Sequence, residues 1–416
     1  MIWFWQAFKL LKLFISFIKA IKKILDRSDD SDNDLKIEDK ITSAKDNKEV
    51  VENLADTKIE KPVKTKKKSK PEKIEANIEL VGPPEEPNLP PKKDSDPLSF
   101  AIGLLGFTAG FIGTVYIINK FFIPKYSKVP KALTGELKYI KVDEGLIAYY
   151  KDGNGPPMIL LHGINPGASS HEMEVIFNHY RLNRTVYSID LLGFGQSERP
   201  DIEYTPELYI RHISELLNHT KLLHDCKPDV IALGLTTEYI VAIAEKAPEL
   251  FNKIILISPT GLEKAISKTR CACCKIAVNL FKLPVLGQGL FNLITSKTFL
   301  KKYLSSRIFA EPRNLSYLML QQYYHTTHVD GAKNAPAFYV AGELVIENLF
   351  QKYLNLKVPS LVIAGTGSEA YSSYEALSPL TKDNKYIIQK VIDNGGLLSY
   401  IEKPDDFFNA TNKFLS

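Results

Sequence analysis

Asp229-Val-Ile-Ala-Leu233 running into Gly234-Leu-Thr-Thr-Glu238 is the stretch that decides the fold. Four apolar residues after Asp229 make a strand short enough to be buried on both faces. The glycine that follows ends it, and the segment after it reads as a helix. A strand entering a tight turn and then a helix is the repeating unit of a parallel α/β sheet.

Strands of the same kind recur on either side. Short apolar runs lie at 137–142, 146–150, 158–161, 185–190, 253–257, 360–364 and 386–392, with helical stretches between most of the later ones. Asp143-Glu144-Gly145 between the first two predicts a hairpin. The others predict a mostly parallel sheet flanked by helices. The interval 262–357 lacks a clean strand and holds several amphipathic runs, which predicts a helical cap following Ile257-Ser-Pro-Thr-Gly261.

Four motifs carry a resemblance. His162-Gly163 ends the strand that begins at Pro157. Asp190-Leu-Leu-Gly-Phe-Gly-Gln-Ser-Glu-Arg-Pro200 has the D-x-x-G-x-G-x-S form. Val358-Pro-Ser-Leu-Val-Ile-Ala-Gly365 is a strand before a loop. Gly395-Gly396 is followed by Glu402-Lys-Pro-Asp-Asp-Phe407. In this order and spacing the chain resembles the α/β-hydrolase superfamily over about residues 135–416. The resemblance implies that fold for 130–416, with the cap at about 262–357. Fold alone does not assign chemistry.

The resemblance also says where a triad would stand. The nucleophile elbow G-x-S-x-G falls on 234–238, with Thr236 in place of serine and Glu238 in place of the last glycine. A threonine hydroxyl is chemically competent, but its β-methyl crowds a strained turn. Glu238 places a carboxylate in the first helical turn, where the helix dipole favours it. The acid position falls on Ser368, with Glu369 beside it. The base position falls on Leu397, and a second, flanking position on Tyr400. No histidine follows His328, and without an imidazole the hydroxyl has no evident base. A tyrosine of pKa ~10 is a poor base at neutral pH. His162, Gly163, Ile164 and Thr237 fall on the oxyanion region, where His162 is expected to shape the loop.

The remaining histidines and cysteines read as structural. His325 and His328 lie about one helical turn apart with only Asp330 nearby, which favours a capping or surface role over metal binding. Cys271-Ala-Cys-Cys274 lacks a second pair for zinc and precedes an amphipathic run. With Cys226 these are the four cysteines of the chain, too clustered for a disulfide framework. A reducing compartment is expected. No metal and no cofactor is expected.

The first third differs in kind. In residues 1–26, Lys9, Lys12, Lys19, Lys22 and Lys23 fall on one side of a helix whose remainder is mostly Trp, Phe, Leu and Ile. That predicts a helix lying in a membrane interface. Residues 27–96 are charged and proline-rich and hold no aromatics; they predict a disordered tether. Residues 97–123 predict one transmembrane helix, because the 23 residues Pro97 to Asn119 carry no charge and span ~34 Å against a hydrocarbon core of ~30 Å. Gly106 and Gly110 have the small-xxx-small spacing that suits a transmembrane-helix partner. Lys120, Lys125, Lys128 and Lys131 outnumber the basic residues on the other flank, which points the globular domain to the cytoplasmic side.

Charge is nearly balanced, 53 Lys+Arg against 48 Asp+Glu in 416 residues, a net of +5. That gives no case for nucleic acid. The expectation is a membrane-tethered α/β-hydrolase-like protein without hydrolase activity, a scaffold or a binder of an apolar ligand under the cap. Phe281, Leu283, Leu286, Leu290, Phe291 and Leu293 would line that space. Two alternatives stay open: an esterase or lipase using Thr236 with a non-standard base, and a structural protein that ties membranes together.

Overall fold

A computed structural model describes residues 97–262, 272–367, 374–376 and 384–416. The expected interfacial helix at 1–26, the tether at 27–96, Cys271, Ser368 and Glu369 lie outside the described residues.

An apolar helix comes first, α1 (Pro97–Ile117), extended by a wider turn over Ile118–Phe122. Thr114 turns back on the helix: its Oγ1 donates to Gly110 O at 2.8 Å, so this hydroxyl does not need water. The residues Leu105–Phe122 are long and apolar enough to cross a membrane and none is buried by protein.

The sheet follows. Strands β1 (Glu136–Val142), β2 (Gly145–Asp152), β3 (Pro157–Leu161), β4 (Thr185–Ile189), β5 (Asp229–Leu233), β6 (Ile254–Ile257), β7 (Ser360–Gly365) and β8 (Ile387–Ile392) form one eight-stranded sheet. Its order is β1-β2-β4-β3-β5-β6-β7-β8. β1 and β2 make the expected hairpin, β2 also meets β4 antiparallel, and every pairing from β4 to β8 is parallel. All eight strands stand where the apolar runs predict them. Every residue of β3, β4, β5, β6 and β7 is buried, as strands covered by helices on both faces require.

Helices cover the sheet: α2 (Glu174–Tyr180), α3 (Pro206–His224) and α4 (Thr236–Lys246) precede β6. α3 shows its limits in sequence. Thr205 accepts from the Leu208 amide at 3.2 Å, Pro206 opens the first turn, and Asp225 ends the helix at φ +50°. Between β6 and β7 the described residues form α5 (Ala272–Lys282), α6 (Leu286–Ile294), α7 (Lys297–Tyr303), α8 (Tyr317–Thr327), α9 (Asn334–Ala341) and α10 (Leu349–Leu354). After β8 come α11 (Ser399–Glu402) and α12 (Pro404–Leu415). The main core lies on one face of the sheet: Met158, Leu160, Ile231 and Ile255 pack with Phe177, Tyr323, Tyr400 and Phe407 of the helices.

Candidate active site and its relatives

The site of such a fold lies at the C-terminal ends of the central strands, where β3, β4, β5 and β6 deliver their loops. The loop after β4 is built by its own motif. Asp190 accepts from Ser170 N at 2.6 Å and Gln196 N at 2.8 Å. Ser197 Oγ donates to Asp190 O at 2.5 Å and accepts from Ala148 N at 2.8 Å. Gly195 has φ +51°, and a Cβ there would collide with the Asp190 carboxyl. The D-x-x-G-x-G-x-S pattern therefore folds this loop onto β2.

His162 is part of the same frame. Its Nε2 accepts from Leu191 N at 3.1 Å, so the proton sits on Nδ1, which faces Gly163 O at 2.5 Å. Both nitrogens serve backbone groups, and the ring packs against Phe194. Ile164, the next residue of the loop, is buried.

At the elbow the left-handed turn is made by Gly234, at φ +57°. Leu235 is already in helical geometry and α4 begins at Thr236. The threonine is not held up at the apex of a turn; it stands in the first helical turn and is fully buried. Its Oγ1 donates to His162 O at 2.7 Å and Leu233 O at 2.6 Å, one proton shared between two carbonyls. Thr237 donates its hydroxyl to Gly234 O at 2.6 Å, and its N–H also points to Gly234 O, at 3.1 Å.

A carboxylate that the motifs did not single out fills the space beside them. Glu172 is buried. Its Oε2 accepts from Gly163 N at 2.9 Å; its Oε1 accepts from Asn165 Nδ2 at 2.8 Å and Tyr323 OH at 2.5 Å. Tyr400 is also fully buried and donates to the backbone oxygen of Glu172 at 2.6 Å. Burial pushes the Tyr323 and Tyr400 hydroxyls well above their ordinary pKa, and the nearby Glu172 carboxylate adds to the shift. These tyrosines are donors, not bases. Beside them Ser169 Oγ lies 2.7 Å from His171 Nδ1, and burial, with His162 nearby, lowers the His171 pKa to about 3.

Leu397 is half-buried. Its N–H donates to Ile308 O at 2.8 Å, and its carbonyl accepts from Ser258 Oγ at 3.1 Å. Glu238 has a different job from the one its position suggests. It is fully buried, accepting from Thr260 Oγ1 at 2.6 Å and Ile346 N at 2.8 Å. Burial pushes its carboxyl up to about 7. It ties α4 to the last segment of the cap, as does Tyr239 OH, which donates to Leu344 O at 2.8 Å. His325 meets Tyr126 edge-on at 4.2 Å, and His328 stacks on Tyr324 at 3.9 Å. No group of three or more His, Cys, Asp or Glu placed to hold a metal occurs among the described residues.

No sequence signal marked Glu172, Asn165 or Tyr323. Glu172 is one acid in a loop without periodicity, and Tyr323 comes from α8, 151 residues on.

No family model matches the chain. A 2-hydroxy-6-oxo-6-(2'-aminophenyl)hexa-2,4-dienoic acid hydrolase of Metapseudomonas resinovorans is 26% identical over 284 residues, 64% of this chain and 87% of that protein. The 1-acylglycerol-3-phosphate O-acyltransferase ABHD5 of Homo sapiens is 31% identical over 115 residues, which are 26% of this chain and 31% of that protein. A crystal structure of a His-tagged serine hydrolase involved in carbazole degradation, the CarC enzyme, superposes with a TM-score of 0.53 at 21% identity, over 67% of this chain and 98% of that one. Such an identity speaks for the fold alone. In strand order, loop architecture and sequence likeness, the chain is an α/β-hydrolase-fold protein.

Proposed function

We propose that this chain is a membrane-anchored α/β-hydrolase-fold protein that does not hydrolyse esters and uses its domain as a scaffold. The observation that carries this reading is the Thr236 hydroxyl. Its proton goes to two main-chain carbonyls, and an acyl-transfer nucleophile needs a general base there instead. His162, whose carbonyl takes one of those bonds, has both ring nitrogens engaged by backbone. Glu172 holds the Gly163 amide, and its negative charge opposes an oxyanion in the same place.

The same carboxylate favours the scaffold over the apolar-ligand binder. The space next to Gly163 is occupied by Glu172, Asn165, Tyr323 and Tyr400, all buried and hydrogen-bonded. Phe281 and Phe291 of the cap point inward and are buried; Leu283 and Leu293 are exposed. The anchor is α1, whose exposed apolar length supports a single span. Lys120, Lys125, Lys128 and Lys131 on its C-terminal flank support a cytoplasmic domain.

The test uses the full chain in detergent, with short- and long-chain nitrophenyl esters and a fluorophosphonate probe. The expected result is no turnover and no labelling above a Thr236→Ala control. Turnover or labelling that disappears in that control removes the non-hydrolytic reading.

A further inference from the structure

Helices α5 and α6 form a hairpin bent by 101°, and together they pass as an apolar pair long enough to be a broken span. Their inward faces account for only part of that character. Ala277, Val278, Leu280 and Phe281 of α5 and Phe291 and Ile294 of α6 are buried against the domain. On the other side Ile276, Leu283 and Leu293 are 48%, 39% and 53% exposed.

This ridge is tied to α1. Asn119 Nδ2 donates to Val285 O at 3.1 Å, and Asn292 Nδ2 donates to Asn119 Oδ1 at 3.0 Å. One turn earlier, a Cβ added at Gly289 would meet Val115 Cγ1 at 2.6 Å, so the missing side chain lets the helices touch. Val285, Gly289 and Asn292 share one face of the hairpin's second arm. Val115 and Asn119 both lie inside the apolar length Leu105–Phe122. From Val115 to Phe122 the chain rises ~10 Å, so α6 crosses the span within its membrane-compatible length.

The same turns carry the marks of a bilayer boundary. Lys120 Nζ reaches back to Tyr116 OH at 3.0 Å and lies over the Tyr116 and Phe121 rings. Aromatic and lysine side chains gathered at one end of a span are what the headgroup level favours.

We propose that the α5–α6 hairpin is seated in the lipid bilayer interface beside the terminal turns of α1, with Ile276, Leu283 and Leu293 against acyl chains. This rests on the reading of α1 as a membrane span. A bilayer surrounding α1 at the level of Val115 and Asn119 meets whatever is packed there, and α6 is packed there. The exposed leucines are thus covered by lipid, and the cap is fixed against the membrane.

The test is photo-cross-linking of the full chain in phosphatidylcholine vesicles that include a phosphatidylcholine with a diazirine in its acyl chain, the adducts mapped by mass spectrometry. Adducts are expected in 97–122 and also in 276–294. Leu222 and Leu223 close α3 just before β5 begins and are 81% and 60% exposed; they lie at the N-terminal end of the strands, away from the C-terminal end that leads into the cap, and should collect none. Replacing Leu283→Glu and Leu293→Glu together should lower hairpin adducts severalfold and leave those of the span unchanged. Both positions are exposed, so the melting temperature should stay within a few degrees. Adducts confined to 97–122 overturn the inference and leave the span standing, as does hairpin labelling that ignores the substitutions. Adducts in neither segment overturn the span and this inference with it.

Discussion

Thr236 has a hydroxyl whose proton is already spent. One O–H shared between His162 O and Leu233 O holds the start of α4 to the end of β3. Its removal leaves two buried carbonyls without that donor. Thr236→Ala should therefore cost about 1–2 kcal/mol, read from denaturant unfolding of the solubilised chain, and leave ester turnover at background. Thr236→Ser keeps the donor and should cost less. Tyr323→Phe takes a charge-assisted bond from Glu172 and leaves Asn165 as the remaining side-chain donor to that oxygen; a loss of about 1.5–3 kcal/mol is expected in the same measurement. Glu238 adds a pH signature. Its folded pKa, about 7, lies above the ordinary 4.5. Below 4.5 both states are protonated. Between 4.5 and 7 the unfolded chain ionises first, so each rise in pH favours unfolding. Stability is lost across that window, on the order of 3 kcal/mol in all. Glu238→Gln mimics the protonated form, donating to Thr260 Oγ1 and accepting from Ile346 N. It should flatten the profile between pH 4.5 and 7 and be the more stable protein at pH 8. An unchanged slope defeats the assignment.

Among the elements, the loop between β4 and α3 is the one most completely dictated by local chemistry. Gly195 is needed twice over, for its φ of +51° and because an added Cβ would collide with the Asp190 carboxyl. Asp190 does not move aside easily, because Ser170 N and Gln196 N hold it. Gly195→Ala should cost at least about 1–3 kcal/mol and lower the melting temperature accordingly. The elbow shows the opposite case. Its five-residue frame 234–238 matches the motif by position, yet the left-handed residue is Gly234, two places before Thr236. A threonine with its β-methyl is costlier in the strained conformation than in a first helical turn, where its hydroxyl bonds back to Leu233 O. The glycine takes the turn instead, and the hydroxyl goes inside.

For the whole molecule the question is what holds it to a membrane. A span of uncharged residues is retained by burial in hydrocarbon and not by electrostatics. The protein should stay in the pellet after carbonate and high-salt washes. Deleting 1–25 should leave it there, and deleting 97–123 should release much of it. Release of the full chain by salt alone would make α1 a soluble helix. Protease added to intact, right-side-out cells should leave residues 130–416 uncut if the domain is cytoplasmic.

Most of the architecture was legible in the chain. Eight runs mark eight strands: β3 to β7 because a strand buried on both faces is mostly apolar, and β1, β2 and β8 because buried and exposed residues mix along a strand with one open face. The glycines and Asp190 mark the loops, because φ and close approach are local demands. The uncharged length of α1 and the absence of an imidazole after His328 are likewise facts of sequence. What surrounds Gly163 was not legible. Glu172, Tyr323 and Tyr400 meet there from three distant segments, and a buried hydrogen-bond network has no periodicity to announce it. Nor could the pattern of α5 and α6 say which leucines turn inward. Both faces are apolar, and only the packing of Phe281 and Phe291 on the domain and of Asn119 on α6 leaves Leu283 and Leu293 outside.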